Sequence, residues 1–204
     1  MIKIVCVLIL SVILSLNVRG QDSLKKVKIL PVPTIGYSPE TKTYIGVVSL
    51  FTLNLYNDTT TRISNAKLEF NYTWNKQLIL ETEWNYFFKE ENWFTKGKMH
   101  YSSYPDFYYG VGTNTPDSNK LLYNSNRIIF EVSALKKVGR KFFTGVNIKY
   151  LSYQNVNYSG THSYSELTDH STFGVGYTLL RDSRDNLLTP TKGFYFNFNA
   201  GYNF

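Results

Sequence analysis

The side chains able to do chemistry are few, and they are spread along the chain. The histidines are His100, His162 and His170. His100 alternates with lysines in Lys96-Gly97-Lys98-Met99-His100, and the other two fall in or beside a polar loop. None has the spacing of a metal-ligand pair. Glu81 and Glu83 lie two apart, which on a strand turns both carboxylates to one side, as a general acid–base pair requires. The same spacing also lines a wetted wall with charge, and the lysines that alternate with His100 favour that reading. Serines are many, but no Gly-x-Ser-x-Gly elbow occurs. Asn57-Asp58-Thr59, Asn71-Tyr72-Thr73 and Asn157-Tyr158-Ser159 match glycosylation acceptors, which a chain so rich in Asn and Thr contains by chance. No catalytic residue, cofactor or metal site is expected.

The elements that hold these residues are written in an alternation. Ala66, Leu68, Phe70, Tyr72 and Trp74 fall on one face, and Lys67, Glu69, Asn71 and Thr73 on the other. The chain ends the same way, with Phe194, Phe196, Phe198, Ala200, Tyr202 and Phe204 against Tyr195, Asn197, Asn199, Gly201 and Asn203. A side-chain period of two means strand. Strands of about ten residues with one aromatic-rich face and one polar face are the signature of an antiparallel transmembrane β-barrel. The apolar face, carrying Leu68, Phe70, Leu78, Leu80, Ile128, Phe130, Val132, Val146, Ile148, Phe173, Val175, Phe196 and Phe198, is assigned to lipid. The polar face, carrying Lys67, Glu69, Glu81, Glu83, Lys96, Lys98, His100, Arg127, Glu131, Asn147 and Lys149, is assigned to the lumen, where mixed signs predict crossing ion pairs. Trp74, Trp84, Trp93, Tyr101 and Tyr104 are placed near strand ends, as interfacial girdles. The competing architecture is a soluble sandwich or lipocalin-like barrel, in which the aromatic face would be the core.

Composition narrows the class. Met1–Lys3 is a basic start, Ile4–Leu16 is almost entirely apolar, and a polar run begins at Gln21. This reads as a secretory signal over residues 1–20, because the apolar run is too short to span a bilayer as a helix. Cys6, the only cysteine, falls inside it, so the mature chain carries no thiol, disulfide or thiolate metal site. Without Lys3 and Arg19 the mature chain keeps 20 basic against 15 acidic residues, scattered singly. Nucleic acid binding needs a concentrated patch and is excluded. Aromatics are the excess, with 17 Tyr, 14 Phe and 3 Trp. Mean hydropathy is only −0.25, which an average over alternating strands produces.

Nine strands are expected after a short periplasmic segment at 21–27: about Lys28–Tyr37, Tyr44–Tyr56, Arg62–Trp74, Gln77–Phe88, Trp93–Ser103, Leu122–Lys137, Lys141–Tyr153, His170–Asp182 and Phe194–Phe204. Asn75-Lys76 is read as a two-residue hairpin link. Long loops are expected from Tyr104 to about Lys120 and from Gln154 to about Asp169, after the fifth and seventh strands. Outer-membrane barrels have longer external loops and short periplasmic turns. The connections at 57–60, 89–92, 139–140 and 184–193 are then all periplasmic. Nine strands leave Phe204 on the outer side, and an open edge in lipid leaves backbone groups unpaired. The expectation is therefore an incomplete barrel domain over 28–204, cut at Phe204; a small closed barrel is the alternative.

Three segments carry a resemblance. Pro33-Thr34-Ile35-Gly36-Tyr37-Ser38-Pro39-Glu40-Thr41 resembles the opening hairpin of surface-antigen barrels of the outer-membrane assembly-factor superfamily (BamA/TamA-like). Tyr104-Pro105-Asp106-Phe107-Tyr108-Tyr109-Gly110-Val111-Gly112 is similar to an external loop of the same proteins. Arg181-Asp182-Ser183-Arg184-Asp185-Asn186 with Pro190-Thr191-Lys192-Gly193 resembles their Asp-x-Arg-Asp-Asn…Pro-Thr-x-Gly turn, the most specific of the three. Such a turn makes local sense: Asp185 and Asn186 can bond their own backbone, Pro190 fixes φ, Gly193 permits tight re-entry, and Arg184 can pair with a neighbouring acid.

The resemblance implies a barrel of about sixteen strands, which the nine would half fill. It implies an integral outer-membrane protein, structural or transport-related, with outer-membrane lipid around it. Its partners during insertion would be barrel-assembly machinery and periplasmic chaperones. The alternative it carries is an assembly or translocation factor working with separate periplasmic partners, because the residues between signal and barrel leave no room for a client-receiving domain.

Overall fold

A computed structural model describes residues 27–38, 42–56, 58, 60–158, 168–187 and 189–204. The expected signal and His162 lie outside the described residues. The described residues are all-β apart from two single 3-10 turns at Lys89–Glu91 and Asp117–Asn119. Nine strands follow in chain order: β1 Val27–Ser38, β2 Lys42–Leu53, β3 Ser64–Thr73, β4 Leu78–Phe87, β5 Trp93–Tyr108, β6 Leu121–Gly139, β7 Phe142–Tyr158, β8 His170–Asp182 and β9 Tyr195–Asn203. Each pairs antiparallel with the next, giving one sheet in the order β1 to β9. β1 and β9 do not pair with each other, so the described residues form an open sheet and not a closed barrel.

Partners across this register point to the same side, which gives the sheet two continuous faces. Phe70 lies between Val47 and Leu80, while Lys67 lies between Leu50 and Glu83. The sheet curls toward the charged side. β5 and β9 are four strands apart, about 19 Å along a flat sheet at normal strand spacing. Yet Lys96 Nζ, on β5, comes within 3.4 Å of the Tyr195 hydroxyl, on β9. The charged face is therefore concave and the aromatic face convex. On the convex face Trp84 lies over Gly97 of the neighbouring strand, where any Cβ would collide with the indole.

Several boundaries differ from the sequence expectation. β5 and β7 run 16 and 17 residues, through stretches expected as loop, and β6, expected over 122–137, runs 19. The ladder continues from Tyr104↔Ser125 to Tyr108↔Leu121 and reaches Tyr123↔Tyr158 past a register shift at Asn124/Asn126. Backbone pairing needs no apolar alternation, so the ladder outruns the pattern that marks it. Tyr101 is consequently mid-strand, and so is Trp84, which corrects their placement at strand ends. The β3–β4 hairpin has three loop residues, Trp74, Asn75 and Lys76, and not two. Lys76 takes φ 62°, and the Thr73 amide donates to the Gln77 carbonyl at 3.0 Å, which is the turn-plus-left-handed-residue solution for a loop of three. Trp74 sits in that turn, 79% exposed. β1 and β2 also depart from strict alternation, because Leu30, Val32, Val48 and Leu50 bring apolar residues to the concave face.

Candidate functional site

Among the described residues, Glu81, His100 and their charged neighbours converge on the concave face. Register puts Glu81 of β4 beside His100 of β5 and Glu69 of β3, and Lys67 beside Glu83. Glu81 becomes the hub. Its carboxylate accepts from Lys67 Nζ at 2.8 Å and lies 2.9 Å from Lys98 Nζ and 3.0 Å from His100 Nδ1. Lys67 also reaches Glu69 at 3.4 Å and Glu83 at 3.6 Å, and Lys98 reaches Glu83 at 3.9 Å. His100 Nε2 lies 3.5 Å from Arg127 Nη2. Glu131 and Lys149 form a separate pair at 3.0 Å. Lys96 stands apart from the carboxylates and meets the Tyr195 hydroxyl.

Chemically this is a wall of crossed ion pairs. The carboxylates are engaged by cations from neighbouring strands. No group of three or more His, Cys, Asp or Glu suited to a metal occurs among the described residues. A cavity of about 300 Å³ opens on the wall between Glu83, Lys96, Lys98 and Glu131.

The 181–193 motif lies at one end of this face, called the turn end below. Asp182 ends β8, 1% exposed, and accepts from Arg184 Nε at 2.9 Å and Nη2 at 3.0 Å. Arg184 also lies over the Tyr195 ring at 4.3 Å. Asp185 organises the connection itself. Its carboxylate accepts from the amides of Asn186, Thr191 and Lys192 at 3.0–3.2 Å and from the Thr191 hydroxyl at 2.6 Å. The Thr191 hydroxyl first, then these amides, hold its pKa down at about 2. Asn186 Oδ1 accepts from the Thr189 amide at 3.2 Å. Gly193 has φ 111°, and a Cβ there would run into the Ser183 carbonyl, so only glycine fits. Arg181 stays at the surface near Phe194, and Pro190 is exposed.

Residues that the sequence reading did not single out complete this end. Arg62, from the connection before β3, donates through Nε to Glu91 Oε1 at 2.8 Å, and its Nη1 pairs with Asp182 Oδ2 at 3.3 Å. Lys141 reaches Glu91 at 3.3 Å. Glu91 and Asp182 are each 1% exposed and Arg62 is 12% exposed. The Arg62 guanidinium lies 4.3 Å from the Phe87 ring and 5.6 Å from that of Phe143. Below it Phe87, Phe94, Leu135, Phe143 and Leu180 form a fully buried cluster, with Leu187 packed against it. All five share the parity of the charged face, and all five fall at the strand ends nearest the turns. Apolar residues on the polar parity, gathered at one end, were the signal available in the sequence.

No protein-family model matches this chain, and no curated protein and no solved structure matches it.

Proposed function

We propose that this chain is an integral β-barrel protein of the bacterial outer membrane, of the surface-antigen type. Its role is structural or transport-related, and it has no catalytic site. The nine strands are a section of the barrel wall, with the charged face toward the lumen and outer-membrane lipid against the other face. The resemblance of the 181–193 turn supports the assembly-factor superfamily and, with it, a barrel of about sixteen strands.

One observation carries this reading: the apolar face is the convex one. A soluble sandwich or lipocalin-like barrel curls around its apolar face and leaves charge outside. Here Ile45, Phe70, Met99, Phe130, Val146, Phe173, Val175 and Phe198 stand exposed on the outside of the curl. All nine strands belong to one sheet, so no second layer among the described residues covers them. A contiguous apolar surface of this kind calls for a non-aqueous neighbour.

Expression in a Gram-negative host tests it. The protein is expected in the outer-membrane pellet after carbonate extraction, to migrate differently with and without boiling, and to show tryptophan quenching by brominated acyl chains through Trp84. A freely dissolved monomer in the periplasm, unquenched by such vesicles, would end the proposal.

A further inference from the structure

We infer that the turn end of the concave face is a latched seal. The 183–194 connection closes an apolar plug over the end of the wall, and Arg62 bolts it. The inference rests on the barrel reading for its consequence: along β4–β8 the lumen does not continue as water to the turn end, and a solute passing there must first displace the connection, while a cavity of about 350 Å³ lined by Thr52, Arg62, Asn65, Asp185 and Leu187 stays open beside it.

Four separate connections contribute to one cluster. The chain before β3 supplies Arg62, the β4–β5 turn supplies Glu91, the β6–β7 turn supplies Lys141, and the β8–β9 connection supplies Arg184 and Leu187. Arg62 and Asp182 are 120 positions apart in the chain, and their strands are five apart in the sheet. Connections that merely hung from the strand ends would leave Phe87, Phe94, Leu135, Phe143 and Leu180 facing the same water as Lys149 and Glu131. They are instead excluded from it almost completely. Three cations, Arg62, Lys141 and Arg184, meet two buried carboxylates, and the Phe87 and Phe143 rings lie beneath the Arg62 guanidinium on its buried side. Asp185, holding Thr191 and Lys192, stiffens the covering segment from within. Glu90 and Thr61 add a direct tie between two of the connections at 2.8 Å.

Thiol accessibility in the membrane-embedded protein tests this, in a background with Cys6 replaced by serine. Leu135→Cys and Leu180→Cys report the plug, and Lys149→Cys, on the exposed part of the same face, reports the open wall. A small water-soluble maleimide is expected to label the two plug positions at least about tenfold more slowly than Lys149→Cys, as local opening would then be required. Adding Arg62→Ala is expected to bring the plug rates toward that of the wall. Hydroxyl-radical footprinting of the wild-type protein gives the same answer without a plug variant: Phe87 and Phe143 protected, and Tyr195 modified. Plug labelling as fast as Lys149→Cys, or oxidation of Phe143 as fast as Tyr195, in protein that is correctly embedded would overturn the seal. Failure to embed at all would instead count against the barrel reading.

Discussion

Arg62 serves two buried carboxylates at once: Glu91 of the β4–β5 turn and Asp182 at the end of β8. Removing one partner of a buried ion pair leaves charge uncompensated, at a cost of about 3–5 kcal/mol. Glu91 keeps Lys141 and Asp182 keeps Arg184, so Arg62→Ala is expected near the lower end, about 3 kcal/mol. Urea unfolding in lipid vesicles measures it. Asp185 gives the complementary prediction. Its folded pKa, about 2, lies below the ordinary 3.8. A depressed carboxylate stabilises above its unfolded pKa and loses that contribution as pH falls through its folded one. The 183–194 connection is therefore expected to loosen between about pH 4 and 2, seen as reduced protection of the Thr191 and Lys192 amides against hydrogen exchange relative to their intrinsic rates at each pH. Asp185→Asn should exchange faster at neutral pH and lose that pH dependence.

At the scale of elements, the lengths of β5 and β7 are the main departure from the sequence reading. β5, β6 and β7 exceed the roughly ten residues that a tilted strand needs to cross a bilayer. They extend beyond their neighbours at the end opposite the turns, and the 109–120 connection tops them. Gly110 and Gly112 there have φ 100° and 117°, and nothing surrounds a Cβ built at Gly112. An epitope inserted at 112–114 is expected to leave embedding unchanged and to be reached by antibody on intact cells. The same epitope at 187–189 is expected to disrupt embedding, because Leu187 packs on the plug. Whole-cell immunofluorescence with and without permeabilisation checks both. Gly97 tests the contact between strands. Overpacking a filled position costs about 1–3 kcal/mol, and Gly97→Val must displace Trp84 to be accommodated.

For the molecule as a whole, the direction of curl decides what each face meets. Val146 and Asn147 are neighbours in β7 and point to opposite sides. If the convex side lies in lipid, Val146→Lys costs about 2–4 kcal/mol near the bilayer midplane. Asn147→Lys, on the wetted side, is expected to stay within about 0.5 kcal/mol. Equal effects, measured by unfolding in vesicles, would contradict the assignment of faces.

The amino-acid sequence by itself determined the strands, their order and the two faces, because a period of two is written residue by residue and short polar turns leave antiparallel neighbours little choice of register. It also placed Lys67, Glu69, Glu81, Glu83, Lys98, His100, Arg127, Glu131 and Lys149 on one side. Only the tertiary structure decided which side is concave, since curl is a property of the assembled sheet and no single strand encodes it. Only the tertiary structure, too, brought Arg62 to Glu91 and Asp182 and buried Phe87 and Phe143 beneath it. Those contacts join connections far apart in the chain, and they exist because the sheet bends its strand ends together.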